Sequence, residues 1–191
     1  MNLSIIVPVY NSSKILKTLV KRIKTNLRTK NYEIIFINDA SLDNSWNEIK
    51  KISKKNKKVK GINLSENFGQ HSAIFAGLKY AKGKKIITMD DDLQHPPESI
   101  EDIMSKLNKH DLCYTIYLKR KHIFWKRSVS WVNNIFSSFL FNKPIHIYFS
   151  SFRGFDVKLL NQIVKDRNPI VFIDGLLLRY AKKICTIKVR H

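Results

Sequence analysis

Three consecutive aspartates, Asp90-Asp91-Asp92, follow a short apolar run, Lys85 to Met89, in a chain that is otherwise strongly basic. Carboxylates crowded together with no base beside them repel one another unless a cation sits between them. If the run is a strand and its geometry persists, Asp90 and Asp92 point one way and Asp91 the other. Two carboxylates on one side suit a hard divalent ion with oxygen ligands, Mg2+ or Mn2+, whose shell phosphate oxygens would complete. Without a function, the same residues are an exposed acidic turn ahead of the helix start at Pro96-Pro97. That reading is strained for three aspartates at one strand end.

Such a tip needs elements to hold it in place. Residues 3 to 9 form an apolar run rich in Ile and Val, and Asn11 and Ser12 offer N-caps to a segment with Ile15, Leu16, Leu19, Val20, Ile23 and Leu27 at helical spacing. The pattern repeats, with strands over Tyr32 to Ile37, Val59 to Leu64 and Lys85 to Met89. Helices fall over Asp43 to Lys54, Gly69 to Ala81 and Pro97 to Leu107. Alternating strands and helices predict an α/β fold, a mostly parallel sheet covered on both faces. Ligands of such sheets bind beyond the carboxyl ends of the strands. The tips there are Tyr10-Asn11, Asn38-Asp39-Ala40-Ser41, Ser65-Glu66-Asn67-Phe68 and the three aspartates, and three of the four carry carboxylates.

The composition agrees with a globular domain: 191 residues, 43% hydrophobic and 26% charged, with 6 Gly and 5 Pro, which excludes a disordered tail or a collagen-like repeat. One domain is the simplest account. Cys113 and Cys185 lack CxxC spacing, so a disulfide scaffold or a cysteine zinc site is poorly supported; small buried hydrophobes in a reducing compartment are expected. The first residues lack the charged start and cleavage site of a signal peptide, and no run approaches the length of a membrane span. The net charge of +20 is unevenly spread, at +10 over residues 1–60, −2 over 61–112 and +12 over 113–191. An acidic middle is set in a basic frame.

Beyond residue 112 the alternation weakens, with a strand expected over Leu112 to Leu118 and a long apolar-aromatic helix over Ile123 to Phe141. The latter is flanked by Lys119-Arg120-Lys121 and Lys126-Arg127. Aromatic residues between basic flanks fit a helix lying on an anionic membrane surface, and a core helix is the equal alternative.

Ser4-Ile5-Ile6-Val7-Pro8-Val9-Tyr10-Asn11, Asn38-Asp39-Ala40-Ser41-Leu42-Asp43, Asn67-Phe68-Gly69-Gln70-His71 and Asp90-Asp91-Asp92-Leu93-Gln94-His95-Pro96-Pro97-Glu98 together resemble, in order and spacing, a family 2 glycosyltransferase of the GT-A fold. Ser150-Ser151-Phe152-Arg153 and Ile173-Asp174-Gly175-Leu176-Leu177-Leu178 extend the resemblance to the polyprenyl-phosphate branch, relatives of dolichyl-phosphate mannose synthase and the undecaprenyl-phosphate sugar transferases. The resemblance covers nearly the whole chain and implies one GT-A domain, a nucleotide-sugar half over 1–112 and an acceptor half over 113–191. Members of that branch usually continue past the point where this chain ends, at Val189-Arg190-His191, with a basic loop and often two membrane helices. A catalytic domain without its anchor is therefore expected.

By position, the resemblance implies a nucleotide pocket of Pro8, Tyr10, Asn11, Asp39 and Ser41, with Asp39 accepting a hydrogen bond from the base. Asp90 and Asp92, with Gln94 nearby, would hold the metal and the diphosphate, Asp91 being a secondary contact. The ion neutralises charge growing on the departing nucleoside diphosphate. Arg153 would offer a planar cationic fork to a phosphate, and Asp92, Arg153 and Asp174 form the catalytic set. Asp174 is either a helix-start residue or a group that orients the acceptor or acts as base; a phosphate acceptor, already ionised, needs little base. His71 and His95 are kept out of the metal set, because a lone His more often satisfies a local backbone group. Some relatives carry Asp where Ser151 stands, and commonly Asp where Asn38 stands.

The expected activity is inverting, single-displacement transfer of a sugar from a nucleotide-sugar, UDP favoured, to a polyprenyl phosphate at the cytoplasmic membrane face. The expected partners are the donor, the lipid acceptor and an anionic membrane surface, with a homo-oligomer left open. The rivals are the same fold acting on a glycan hydroxyl in cell-surface polysaccharide synthesis, an inactive donor-binding remnant, and a basic nucleic-acid-binding protein. Against the last stand the acidic tips and the absence of a nucleic-acid module.

Overall fold

Along β1 (Leu3–Val9) the side chains of Leu3, Ile5, Val7 and Val9 enter one hydrophobic cluster and Ile6 enters another, the two-residue alternation of a strand covered on both faces. β2 (Tyr32–Asn38) repeats it, with Tyr32, Ile34 and Phe36 on the first side and Ile35 and Ile37 on the second. Every residue of both strands is buried. The computed structural model describes residues 1–117, 148–166 and 171–189.

β3 (Val59–Asn63), β4 (Lys85–Thr88), β5 (Leu112–Tyr117), β6 (Arg153–Asp156) and β7 (Ile184–Val189) complete a seven-stranded sheet of order β3-β2-β1-β4-β6-β5-β7. β1 runs parallel to β2 and β4, β2 to β3, and β5 to β7; among the described residues β6 alone, between β4 and β5, is antiparallel to both its neighbours. The first face carries α1 (Leu16–Asn26), α2 (Ser45–Lys55) and α4 (Ile100–Lys106), seated through Leu19, Ile23, Ile49 and Ile103. The second carries α3 (Gln70–Leu78), α5 (Val157–Ile163) and α6 (Ile173–Tyr180), seated through Ile74, Leu160, Ile163 and Leu177. α3 lies so close to the sheet that a Cβ on Gly77 would fall 2.5 Å from Ile37 Cδ1. This is the single-domain α/β arrangement with a mostly parallel sheet that the alternation predicts.

Several details differ from the sequence expectation. Asn11 and Ser12 do not cap α1, whose N-cap is Ile15 with no side-chain bond. The helix expected from Pro97 opens as a 3-10 turn, Pro97–Ser99, and becomes α-helical at Ile100. Strand β4 ends at Thr88, one residue early. Leu118, the helix expected over 123–141 and its basic flanks lie outside the described residues. Among the described residues no helix is long and apolar enough to cross a membrane. Cys113 and Cys185 face one another across β5 and β7 as free thiols, the first buried and the second half-buried, and burial pushes both thiol pKa values up.

Candidate active site at the carboxyl end of the sheet

Parallel strands deliver their following loops to one end of the sheet, and this end carries the strained backbone. Among the described residues the non-glycine positions with positive φ are Asn11 (55°), Ala40 (52°) and Leu93 (65°), one after each of β1, β2 and β4. Such conformations persist where surrounding bonds over-determine them. Here Asn11 N–H donates to Ser41 Oγ at 3.0 Å, and Asn11 Oδ1 accepts from the Leu42 and Asp43 N–H groups. Asn11 and Ser41, expected to touch the nucleotide, thus clamp two tips together and lie outside the cavity lining.

The cavity between these tips measures about 270 Å³ and is lined by Pro8, Val9, Tyr10, Asp39, Asn67, Gly69, Gln70, Asp90 and Asp91. Pro8, Tyr10 and Asp39 are where the sequence puts the nucleotide. Tyr10 is exposed and Asp39 buried. Asp39 accepts Phe68 N–H on one oxygen and Gly69 N–H on the other, both at 2.9 Å. It fixes the turn into α3, where Gly69 has φ 83°, and keeps one lone pair per oxygen for a ligand.

The aspartates divide differently from the alternation rule, because the strand has ended and Leu93 turns the chain. Asp90 and Asp91 line the cavity, whereas the exposed Asp92 turns back to accept Gln94 N–H at 3.0 Å, and Gln94 is itself exposed. The expectation that Asp91 points away from the site is therefore corrected: its carboxylate accepts Tyr10 N–H at 3.3 Å. Burial raises the Asp91 pKa, hydrogen bonds from Ser12 and Tyr10 oppose this, and the Asp90 charge adds to the rise. Asp90 is gripped by neutral donors, Gln70 Nε2 on one oxygen at 2.5 Å and Ser151 Oγ on the other at 2.7 Å. His95 Nδ1 accepts Asp90 N–H at 2.8 Å, and its ring stacks on Phe152 at 5.1 Å.

In a chain of net charge +20, neither Asp90, Asp91 nor Asp92 pairs with a lysine or arginine among the described residues. Hard oxygen donors with uncompensated charge fit a divalent ion. No three His, Cys, Asp or Glu side chains among the described residues converge to hold one unaided, so donor phosphates would have to complete its shell.

A second cavity of about 180 Å³ shares Gln70 with the first and is lined by His71, Ile74, Phe149, Ser150, Ser151, Arg153 and Asp174. Arg153 is not the open fork expected from the sequence. It is 1% exposed, its Nη1 pairs with Asp174 Oδ1 and donates to the Ser150 carbonyl, and its Nε has no partner. Tyr114 O–H donates to the same Asp174 oxygen at 2.8 Å, leaving Oδ2 without a hydrogen bond among the described residues. Asp174 lies in the first turn of α6 but does not cap it. His71 Nδ1 accepts Ile173 N–H at 3.4 Å; burial and Arg153 lower its pKa against an opposing pull from Asp174. Both histidines satisfy backbone groups, as expected.

Sequence reasoning missed Gln70, Ser151 and Tyr114 as site residues. Each acts across 20 to 61 positions of sequence, and the signals were the place of Gln70 beside the Asn67-Phe68-Gly69 tip and of Ser151 in the segment before Arg153; nothing signalled Tyr114.

The sequence model described as Glycosyl transferase family 2 matches residues 4–164. Among solved structures, S. aureus TarS 1–349 in complex with UDP-GlcNAc superposes with a TM-score of 0.67 at 18% identity, covering 100% of this chain and 59% of that one. The mannosyltransferase PcManGT from Pyrobaculum calidifontis, in complex with GDP-Man and Mn2+, gives 0.73 at 15% identity, covering 100% and 56%. Glucosyl-3-phosphoglycerate synthase from Mycobacterium tuberculosis, with Mn2+, UDP and phosphoglyceric acid, gives 0.70 at 13%, covering 99% and 69%. The chain thus spans about three fifths of the TarS 1–349 length, and at these identities the likeness speaks for the fold.

Proposed function

The chain belongs to glycosyl transferase family 2, and from that membership we propose an inverting, metal-dependent transferase that moves a sugar from a nucleotide-sugar, UDP favoured, to a polyprenyl phosphate at the cytoplasmic face of a membrane. The observation that carries the donor half is the acidic tip, which has no lysine or arginine partner among the described residues, beside a cavity walled by Pro8, Tyr10 and Asp39. Mg2+ or Mn2+ there would neutralise charge on the departing nucleoside diphosphate. Of the three consecutive aspartates, Asp90 and Asp91 line the cavity; Asp92 and Gln94 would join them through a turn of the 92–94 segment.

The other groups bind and orient. Tyr10 and Pro8 offer flat apolar surface to a base, and Asp39 a fixed acceptor. Gln70 and Ser151 hold Asp90, and the Arg153–Asp174 pair lies under the inner cavity, where sugar and acceptor would meet. An ionised phosphate acceptor needs no proton removed, which fits an Asp174 already engaged by Arg153 and Tyr114. Support for the lipid acceptor and the membrane site comes from the sequence motifs and from the basic segments flanking the acidic middle.

One observation favours a second reading, a glycan hydroxyl acceptor. Asp174 Oδ2, which has no hydrogen bond among the described residues and lies beside the inner cavity, suits removal of a hydroxyl proton. The two readings separate on incubating the chain with UDP- and GDP-sugars, Mn2+ and either undecaprenyl phosphate or oligosaccharides, with products weighed by mass spectrometry. A glycosylated lipid phosphate, formed still by Asp174→Asn within about tenfold, supports the first. Product on oligosaccharides alone, lost by about 100-fold or more in Asp174→Asn, replaces it with the second.

A further inference from the structure

We propose that Gln70 reads the donor's sugar: its amide N–H2 group holds Asp90 while its carbonyl oxygen accepts a hydrogen bond from a hydroxyl of the sugar being transferred. The inference rests on the donor reading above and deepens it by assigning a residue that distinguishes a nucleotide-sugar from the bare nucleotide.

Three observations place Gln70 for this. It lines both cavities, so a ligand that bridged them would lie beside it. Its position is fixed by the chain before it: Asp39 holds the Phe68 and Gly69 N–H groups, and α3 starts at Gln70. Its orientation is fixed by chemistry. A carboxylate accepts but cannot donate, so the amide nitrogen must face Asp90 Oδ1, and the carbonyl oxygen then turns away from it. That oxygen has no hydrogen bond among the described residues, and the side chain is exposed at the mouth. With the nucleoside diphosphate in the outer cleft and the sugar in the inner one, the free carbonyl stands at the junction, where hydroxyls beside the anomeric carbon pass.

Several other groups around the inner cavity are already committed, and Asp174 Oδ2, without a hydrogen bond among the described residues, is a charged acceptor set on the Arg153 side of it. Arg153 is paired to Asp174, Ser151 Oγ to Asp90, and His71 Nδ1 to the Ile173 amide. Gln70 is thus a neutral side chain at this junction with an acceptor left over, and neutral acceptors suit neutral hydroxyls.

The test is calorimetric titration of wild type, Gln70→Ala and Gln70→Glu with UDP, UDP-glucose, GDP and GDP-mannose in Mn2+, each protein first checked by thermal melting. Wild type binds one pair of nucleotide and nucleotide-sugar, the sugar form more tightly. In Gln70→Ala, loss of the hydrogen bond to Asp90 weakens the bare nucleotide and the nucleotide-sugar alike, and the extra affinity of the sugar form over the bare nucleotide falls by about tenfold on top of that, the worth of one or two neutral hydrogen bonds. Gln70→Glu keeps an acceptor oxygen but sets a like charge against Asp90, so it weakens nucleotide and nucleotide-sugar together. Equal losses for both ligands in Gln70→Ala, or no loss for either, overturn the assignment while leaving the donor reading standing. A wild type that binds none of the four ligands overturns the donor reading and this one with it.

Discussion

The two ends of the sheet handle acidic side chains in opposite ways. At the amino end, Glu33 is 1% exposed, and its carboxylate is saturated by Ser4 Oγ and Lys60 Nζ, both at 2.6 Å, and by the Lys82 amide at 2.8 Å. Ser4 Oγ in turn accepts from the Gly83 amide, so the turn before β4 is bolted to β1 and β2. At the carboxyl end, Asp90 and Asp91 are held by Gln70, Ser151 and the Tyr10 amide, with His95 Nε2 at 3.5 Å from Asp90, and among the described residues neither pairs with a lysine or arginine. The difference separates a clamp from a site. Where a carboxylate serves the fold, the fold supplies the cation; where it serves a ligand, the cation has to come with that ligand.

Substitutions can break or sharpen this contrast. The largest effect is expected for Asp90→Asn: metal-dependent nucleotide affinity falls by about 100-fold or more, the scale of removing one preorganised electrostatic partner, while the melting temperature holds. Glu33→Ala should do the reverse. Opening a buried, charge-assisted network costs about 2–3 kcal/mol, a fall in Tm of about 6–10 °C, with nucleotide affinity unchanged where the protein stays folded. Gly77→Ala crosses the divide. A Cβ 2.5 Å from Ile37 Cδ1 pushes α3 off the sheet and carries Gln70 with it. A loss of about 1–3 kcal/mol in denaturant unfolding should therefore be accompanied by weaker nucleotide-sugar binding.

The smallest effect is in the pH dependence of stability. Burial alone would raise the Glu33 pKa, but the hydrogen bonds from Lys60, Ser4 and Lys82 outweigh it and hold it below the ordinary 4.5. A depressed carboxylate stabilises above its unfolded pKa, and that contribution is lost as pH falls through the lower folded one. Urea unfolding from pH 6 downward should show stability declining below about pH 4.5. Glu33→Gln should flatten part of that decline, with Asp43, held near 2 by bonds from Ser45 and Ser13 that outweigh burial, supplying some of the rest.

Much of this was legible in the sequence. The α/β alternation, the parallel core and the gathering of Tyr10, Asp39 and Asp90 at one sheet end follow from periodicity and from where the strands stop. The reversed β6 does not, because Arg153 to Asp156 is too short to show a pattern. The alternation rule assigned Asp92 to the cavity and turned Asp91 away; it failed because β4 stops at Thr88 and Leu93 adopts φ 65°, a bend that no residue type announced. Arg153 looked like an open fork for a phosphate for want of its partner, which stands 21 positions later and meets it only once β6 and α6 are folded. Gln70 and Ser151 stand in quoted motifs, but their grip on Asp90 escaped notice for the same reason: a hydrogen bond across 20 or 61 residues leaves no local trace.

The most direct test of the central claim, that the acidic tip is a metal-assisted nucleotide site, is calorimetric titration with UDP and GDP in Mn2+ and in EDTA, on wild type and Asp90→Asn. The account predicts binding of one nucleotide that requires both the ion and the Asp90 carboxylate. Binding of equal strength in EDTA, undiminished binding by Asp90→Asn, or no binding of either nucleotide would contradict it.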